Sequence, residues 1–145
     1  MDGHAEEGIA EAQSQESTGA VEAAFDEARF REYVDDDLVL ARRVVRRLLA
    51  DAPTRLAAIR AALRAGDAAT AASATHALKG SISLVAAAPV LEAVGRLELR
   101  TREGDLLQAA DACTDLENEM AGLYIALARF LSREPNRFAV DPSDG

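Results

Sequence analysis

The sequence predicts an all-α protein, an antiparallel up-and-down four-helix bundle with a short additional N-terminal helix. Three observations predict it. The 145-residue chain is 49% hydrophobic but only 4% aromatic, with no tryptophan, so alanine and leucine carry the apolar content, which favours closely packed helices over a sheet. Apolar residues recur at three- and four-residue steps through four long stretches. The pair Gly-Asp stands at 66–67 and again at 104–105, a glycine that can end one helix followed by an aspartate that can cap the next.

Residues 1–24, "MDGHAEEGIAEAQSQESTGAVEAA", are acidic and poor in large apolar groups. They cannot bury enough surface to offset the entropy of ordering, so a disordered arm is expected there. His4 falls in this arm, without any chemical context. The bundle domain is expected over residues 25–133 and a flexible tail over 134–145, where "EPNRFAVDPSDG" carries two prolines and a closing glycine. Within the domain, a short helix from Asp26 to about Asp36 places Phe30 and Val34 at helical spacing. The second pattern runs from Asp37 to Ala65 with one apolar stripe, Leu38, Ala41, Val45, Leu48, Ala52, Leu56, Ile59 and Leu63. Pro53 inside it removes a backbone donor and predicts a kink or a brief break. The third helix is expected from Ala68 to Val85. Pro89 suits the first turn of a fourth, which carries Leu91, Val94 and Leu97. The fifth is expected from Leu106 to Ser132 with Leu106, Ala110, Cys113, Met120, Tyr124, Leu127 and Leu131 as its stripe. Short connections then make neighbouring helices antiparallel.

The net charge of −9 argues against nucleic acid, whose phosphates attract basic faces, and in favour of other proteins as partners. A single cysteine, Cys113, excludes an internal disulfide and fits a reducing compartment. The sequence shows neither a signal-peptide pattern nor an apolar stretch of about 20 residues, so the expected location is the cytoplasm, with no membrane partner. The arginines at 42, 43, 46 and 47 read as a solvated face pairing with the acidic surplus.

The third helix carries the chemistry. With about 100° per residue and Ala71 as the origin, Thr75, Leu78, Ile82 and Val85 fall within about 40° of it and form the buried stripe. His76 falls at about 140°, Gly80 at about 180°, Ser83 at about 120°, Ala72 at about 100° and Lys79 near the boundary at about 80°. The histidine therefore points away from the core among very small neighbours. A glycine inside a helix costs roughly 1 kcal/mol against alanine, and Gly80 makes room for another molecule's surface. Lys79 is the only lysine, the other fifteen of sixteen basic residues being arginine. Residues three apart are neighbours on a helix, so its ammonium can reach whatever is attached to the imidazole. A neutral imidazole is a good nucleophile, and attack on an acyl phosphate would give a phosphoramidate through a loose, highly charged transition state. The sequence offers no carboxylate cluster on the histidine face, no phosphate loop and no metal-ligand set, so the metal and the acyl phosphate are expected from a partner.

The stretch "ATHALKGSISLVAA" resembles the histidine-containing phosphotransfer (HPt) domain of bacterial phosphorelays, with its motif His-x-Leu/Ile-Lys-Gly-Ser/Ala. The similarity extends over residues 25–132 and includes the Gly-Asp before the histidine helix and "RLELRTREGDLLQA" after it. Two positions depart from the pattern: Ala86 stands where the family usually has glycine, and Ile82 is bulkier than the residue common there. The resemblance implies that His76 is the phosphoacceptor, that Lys79 stabilises the phosphoryl charge, and that Gly80, with Ala72 and Ser83, admits the partner. That partner would be a receiver domain of a response regulator or hybrid histidine kinase, supplying an aspartyl phosphate and bound Mg2+. The chain itself would be a monomeric phosphoryl carrier without a kinase module, binding no cofactor or metal. The alternative is a helical adaptor that docks receivers independently of phosphorylation.

Overall fold

The computed structural model describes residues 21 and 23–139, with side chains described as far as Arg133. From Glu27 onward, five helices follow one another among the described residues: α1 (Glu27–Tyr33), α2 (Leu38–Arg64), α3 (Ala68–Ile82), α4 (Ala88–Arg102) and α5 (Leu106–Ala139). Helices α2 to α5 form a ring in which each packs on its chain neighbours and α5 closes back on α2.

Short polar signals set the boundaries. Asp26, Asp37, Asp67 and Asp105 each accept a hydrogen bond from the backbone N–H three residues on, at 3.0–3.1 Å, which satisfies a donor that a helix start leaves orphaned. Before two of these caps stand Gly66 and Gly104, both at φ +73°, a conformation glycine adopts without steric cost. Asp67 N–H donates to Ala62 C=O and Gly66 N–H to Leu63 C=O, and Asp105 and Gly104 repeat the pattern on Arg100 and Thr101. Each pair closes one helix and opens the next within three residues. Helix α4 starts instead on extended Ala87 with Pro89 in its first turn.

The core contains the apolar stripes of α2 and α3, with Phe30, Ile59, Leu78, Ile82 and Leu97 fully buried. Phe25, Phe30 and Phe130 meet at one end of the bundle with ring centroids 5.9–6.1 Å apart. Five details differ from the sequence-based expectation. Helix α2 runs unbroken through Pro53, because Leu48, Ala52 and Leu56 on either side of it are buried and packing outweighs one lost hydrogen bond. The buried stripe of α5 is Ala109, Cys113, Leu116, Met120, Leu123, Leu127 and Phe130, while Leu106, Tyr124 and Leu131 are only partly buried. A helix wedged between two neighbours has an apolar arc wider than one heptad seam.

Helix α3 stops at Ile82 rather than Val85. There Val85 N–H and Ala86 N–H both turn back to Ile82 C=O, and the N-terminal segment is tied onto the turn that follows: Asp26 N–H donates to Val85 C=O, Ala87 N–H to Ala24 C=O, and Phe25 bridges Ala86. The Arg29 guanidinium donates to Ser83 and Ala86 C=O at 2.9 and 2.6 Å. At the domain's start, Val21 and Ala24 are helical and buried, although the arm was expected to reach residue 24; the rest of the arm lies outside the described residues. Finally, α5 continues past Ser132 to Ala139. Pro135 has no N–H to offer Leu131 C=O, and the guanidinium of Arg42 donates to that carbonyl at 3.1 Å instead. Arg42 is thus tied to α5 rather than to an acidic side chain. The remaining residues of the expected tail, 140–145, lie outside the described residues. Among the described residues no helix is long and apolar enough to cross a membrane.

The Tyr124 hydroxyl is buried with no hydrogen-bond partner among the described residues, and burial pushes its pKa up to about 12. An unsatisfied buried hydroxyl costs about 1–3 kcal/mol. Tyr124→Phe is therefore expected to raise the unfolding free energy, by roughly 1 kcal/mol, in urea melts.

Candidate functional site

The site lies across α3 and α4. His76 and Lys79, one turn apart on α3, face Glu98 on α4. The His76 side chain is 70% exposed and that of Lys79 44%, whereas only 10% of the Glu98 side chain reaches solvent. Glu98 is held on the edge of the α4 core stripe by Val94, Leu97 and Thr101, all buried. Its Oε2 lies 2.6 Å from His76 Nδ1, and its Oε1 accepts from Lys79 Nζ at 3.3 Å. Arg102, one turn further along α4, comes within 3.6 Å of Oε2. One sunken carboxylate thus gathers an imidazole, an ammonium and a guanidinium.

The electrostatics fix the imidazole. The His76 hydrogen bond holds the Glu98 carboxyl below its ordinary value of 4.5, against the opposing pull of burial and with help from Lys79 and Arg102. An ionised carboxylate only accepts hydrogen bonds, so Nδ1 carries the proton. In the neutral ring the lone pair then sits on Nε2, the nitrogen away from Glu98 on a largely exposed side chain. The arrangement is an oriented imidazole with an accessible ring nitrogen and two cations close by.

Of the residues expected from sequence, Ala72 joins His76 in an open depression that Ala69, Ser73 and Arg102 complete. Gly80 is exposed, and a Cβ added there would meet nothing within 4 Å, so close packing inside the molecule does not account for this glycine. Ile82 is 1% exposed; its bulk belongs to the core and leaves the outer face of α3 unchanged. Ser83 is exposed at the end of the same helix. It ends α3, its Oγ donating to Gly80 C=O at 3.0 Å and its own carbonyl accepting from Arg29, and it does not reach His76.

Sequence reasoning missed Glu98 as part of the site and found no carboxylate for the histidine face. A signal was present: seven residues after Leu91, a glutamate falls on the apolar side of α4, and a buried carboxylate needs partners. Which helix supplies them is a matter of tertiary packing. Arg102 escaped notice for the same reason.

A family model described as the Hpt domain matches residues 43–125, a span that includes His76, Lys79, Glu98 and Arg102. The crystal structure of histidine-containing phosphotransfer protein B from Pseudomonas aeruginosa PAO1 superposes with a TM-score of 0.70 at 24% identity, covering 76% of this chain and 96% of that one. At that identity the likeness concerns the fold. The curated proteins include no match.

Proposed function

Since the chain belongs to the Hpt domain family, we propose that His76 is its phosphoacceptor, taking a phosphoryl group from the aspartyl phosphate of a receiver domain and passing it to another. The observation that carries this reading is the 2.6 Å contact between His76 Nδ1 and the buried Glu98 carboxylate, which leaves Nε2 as the nucleophile. In the forward step the Nε2 lone pair attacks phosphorus, the P–O bond to the aspartate breaks, and the carboxylate leaves with the electron pair. The Nδ1 proton stays in the hydrogen bond to Glu98, which stabilises the positive charge the ring acquires. The reverse sequence delivers the phosphoryl group to a second aspartate. Mg2+ belongs to the receiver's side of the reaction, and the chain acts as a carrier rather than a kinase.

Lys79 lies one turn from His76 and can turn from Glu98 to a phosphoryl oxygen. Because it is half exposed, its charge is screened. Lys79→Ala should slow transfer about three- to tenfold, the size of a 0.7–1.4 kcal/mol loss. Unchanged rates would remove the lysine from the mechanism.

Gly80 and Ala72 keep the approach to His76 low. Gly80→Ala should stabilise the fold by up to about 1 kcal/mol, since the new methyl group enters open space. Gly80→Gln should fold equally well yet slow transfer tenfold or more by obstructing the receiver. Unfolding curves and transfer rates measured on both variants separate the two effects, and normal transfer in Gly80→Gln would show that partners do not approach over this residue.

The deciding experiment incubates the protein with pre-phosphorylated receiver domains and Mg2+. Acid-labile, alkali-stable label on the chain supports the carrier. Receivers that bind and never transfer support the phosphorylation-independent adaptor instead.

A further inference from the structure

The depression beside His76 has a volume of about 420 Å3 and is walled by Ala69, Ala72 and Ser73 of α3, by His76 itself, and by Arg102 from the end of α4. A helical side chain leans toward the N-terminus of its own helix. His76 therefore covers the turn of Ala72 and Ser73, which is why it shares the depression with them. Two polar groups there are unspent. Lys79 donates to Glu98 and Arg100 to Glu103, while the hydroxyls of Thr75, Ser81 and Ser83 donate to carbonyls of their own helix. By contrast, the Ser73 hydroxyl and the Arg102 guanidinium make no hydrogen bond among the described residues. Arg102 stands 3.6 Å from Glu98, with its side chain 62% exposed. No acid lines the depression, and Ala69 and Ala72 bring methyl groups alone. An uncommitted fork of N–H donors and a free hydroxyl thus meet next to the imidazole.

We infer that this depression seats the phosphoryl group once His76 carries it, with Arg102 and Ser73 donating to its oxygens. The inference rests on His76 being the phosphoacceptor. Phosphoryl oxygens accept hydrogen bonds, and the planar guanidinium can offer two of them parallel N–H groups. Ser73 adds one O–H donor. No bond to either residue forms or breaks; both bind the charge as it arrives. The two ring nitrogens then divide the work. Nδ1 keeps its proton on Glu98, and Nε2 presents the phosphorus to donors that nothing else in the fold has claimed.

The test uses the full chain with His4→Gln, so that His76 is its one histidine, and phosphoramidate as a donor that needs no receiver. The Nε2 lone pair attacks phosphorus, the P–N bond of the donor breaks, and ammonia leaves with the electron pair. In 15N-labelled protein the Arg102 Nε–Hε signal should shift on phosphorylation, while that of Arg100 stays. Labelling should slow about three- to tenfold in Arg102→Gln and about twofold in Ser73→Ala, the scale of exposed charged and neutral hydrogen bonds. Ring 15N shifts of both variants before labelling should match those of the parent, which separates phosphoryl binding from an action through Glu98. An unmoved Arg102 signal, unchanged labelling rates or an altered ring tautomer in Arg102→Gln would overturn the inference, and so would a ring that phosphoramidate leaves unlabelled. The carrier reading fails separately, when receivers do not transfer to a chain that phosphoramidate labels.

Discussion

His76→Gln is expected to accept no acid-labile phosphoryl label from any receiver that labels the wild type, and to remain folded. The loss should be complete rather than partial, since an amide nitrogen has no basic lone pair to attack phosphorus. The fold should survive because the His76 side chain is 70% exposed and lies outside the core. A glutamine amide can donate to the Glu98 carboxylate. Unfolding free energy should therefore change by no more than about 0.5 kcal/mol, as for other surface substitutions, and receiver binding should persist. Label retained on the variant would move the phosphoacceptor elsewhere and end the assignment.

Glu98→Ala carries the second large effect. Without the carboxylate nothing among the described residues holds Nδ1–H, and the ring is free to rotate and exchange tautomers. Misplacing a nucleophile by about 1 Å can lower a rate by about 100-fold, so transfer onto His76 should fall by roughly 10- to 100-fold. The tautomer is directly observable: in the wild type, 15N chemical shifts of the ring should place the proton on Nδ1, and in Glu98→Ala they should report a mixture. A slowed variant with an unchanged tautomer would mean that Glu98 acts by packing alone. The carboxyl titration gives a further check. Glu98 is held below 4.5 chiefly by His76, so the midpoint read by 13C carboxyl shifts should lie below that value and rise in His76→Ala, where burial acts with less opposition. The sign for stability follows. A carboxyl depressed in the folded state contributes stability above its unfolded pKa, and that contribution is lost as pH falls through the folded value.

Much of this molecule is legible one residue at a time. Aspartate caps at 26, 37, 67 and 105 and glycines at 66 and 104 act within three or four residues of backbone, so the helix starts and two of the reversals follow from local chemistry. The three-four spacing of Leu48, Ala52 and Leu56 likewise declares a buried face before any partner is known. His76 stands out because its neighbours along one helix already separate an inner from an outer side. Local pattern is less informative where a helix has two partners. The core face of α5 was placed partly wrong because both α2 and α4 cover it, which makes Leu116, Leu123 and Phe130 core residues alongside Cys113, Met120 and Leu127.

What the sequence determined by itself was the helix order, the reversals, and a histidine–lysine–glycine face turned to solvent. The tertiary structure alone decided what that face meets. Glu98 lies 22 positions beyond His76 in the chain, on another helix, and no periodicity within α3 refers to it. Its contact exists because the α3–α4 turn brings two helices side by side and packing fixes their rotation. The same holds for the end of α3, where Arg29 arrives from more than 50 positions away to take the carbonyls of Ser83 and Ala86, and Asp26 N–H takes that of Val85. Local backbone energies set where helices begin and stop, whereas orienting an imidazole takes a partner fixed in three dimensions.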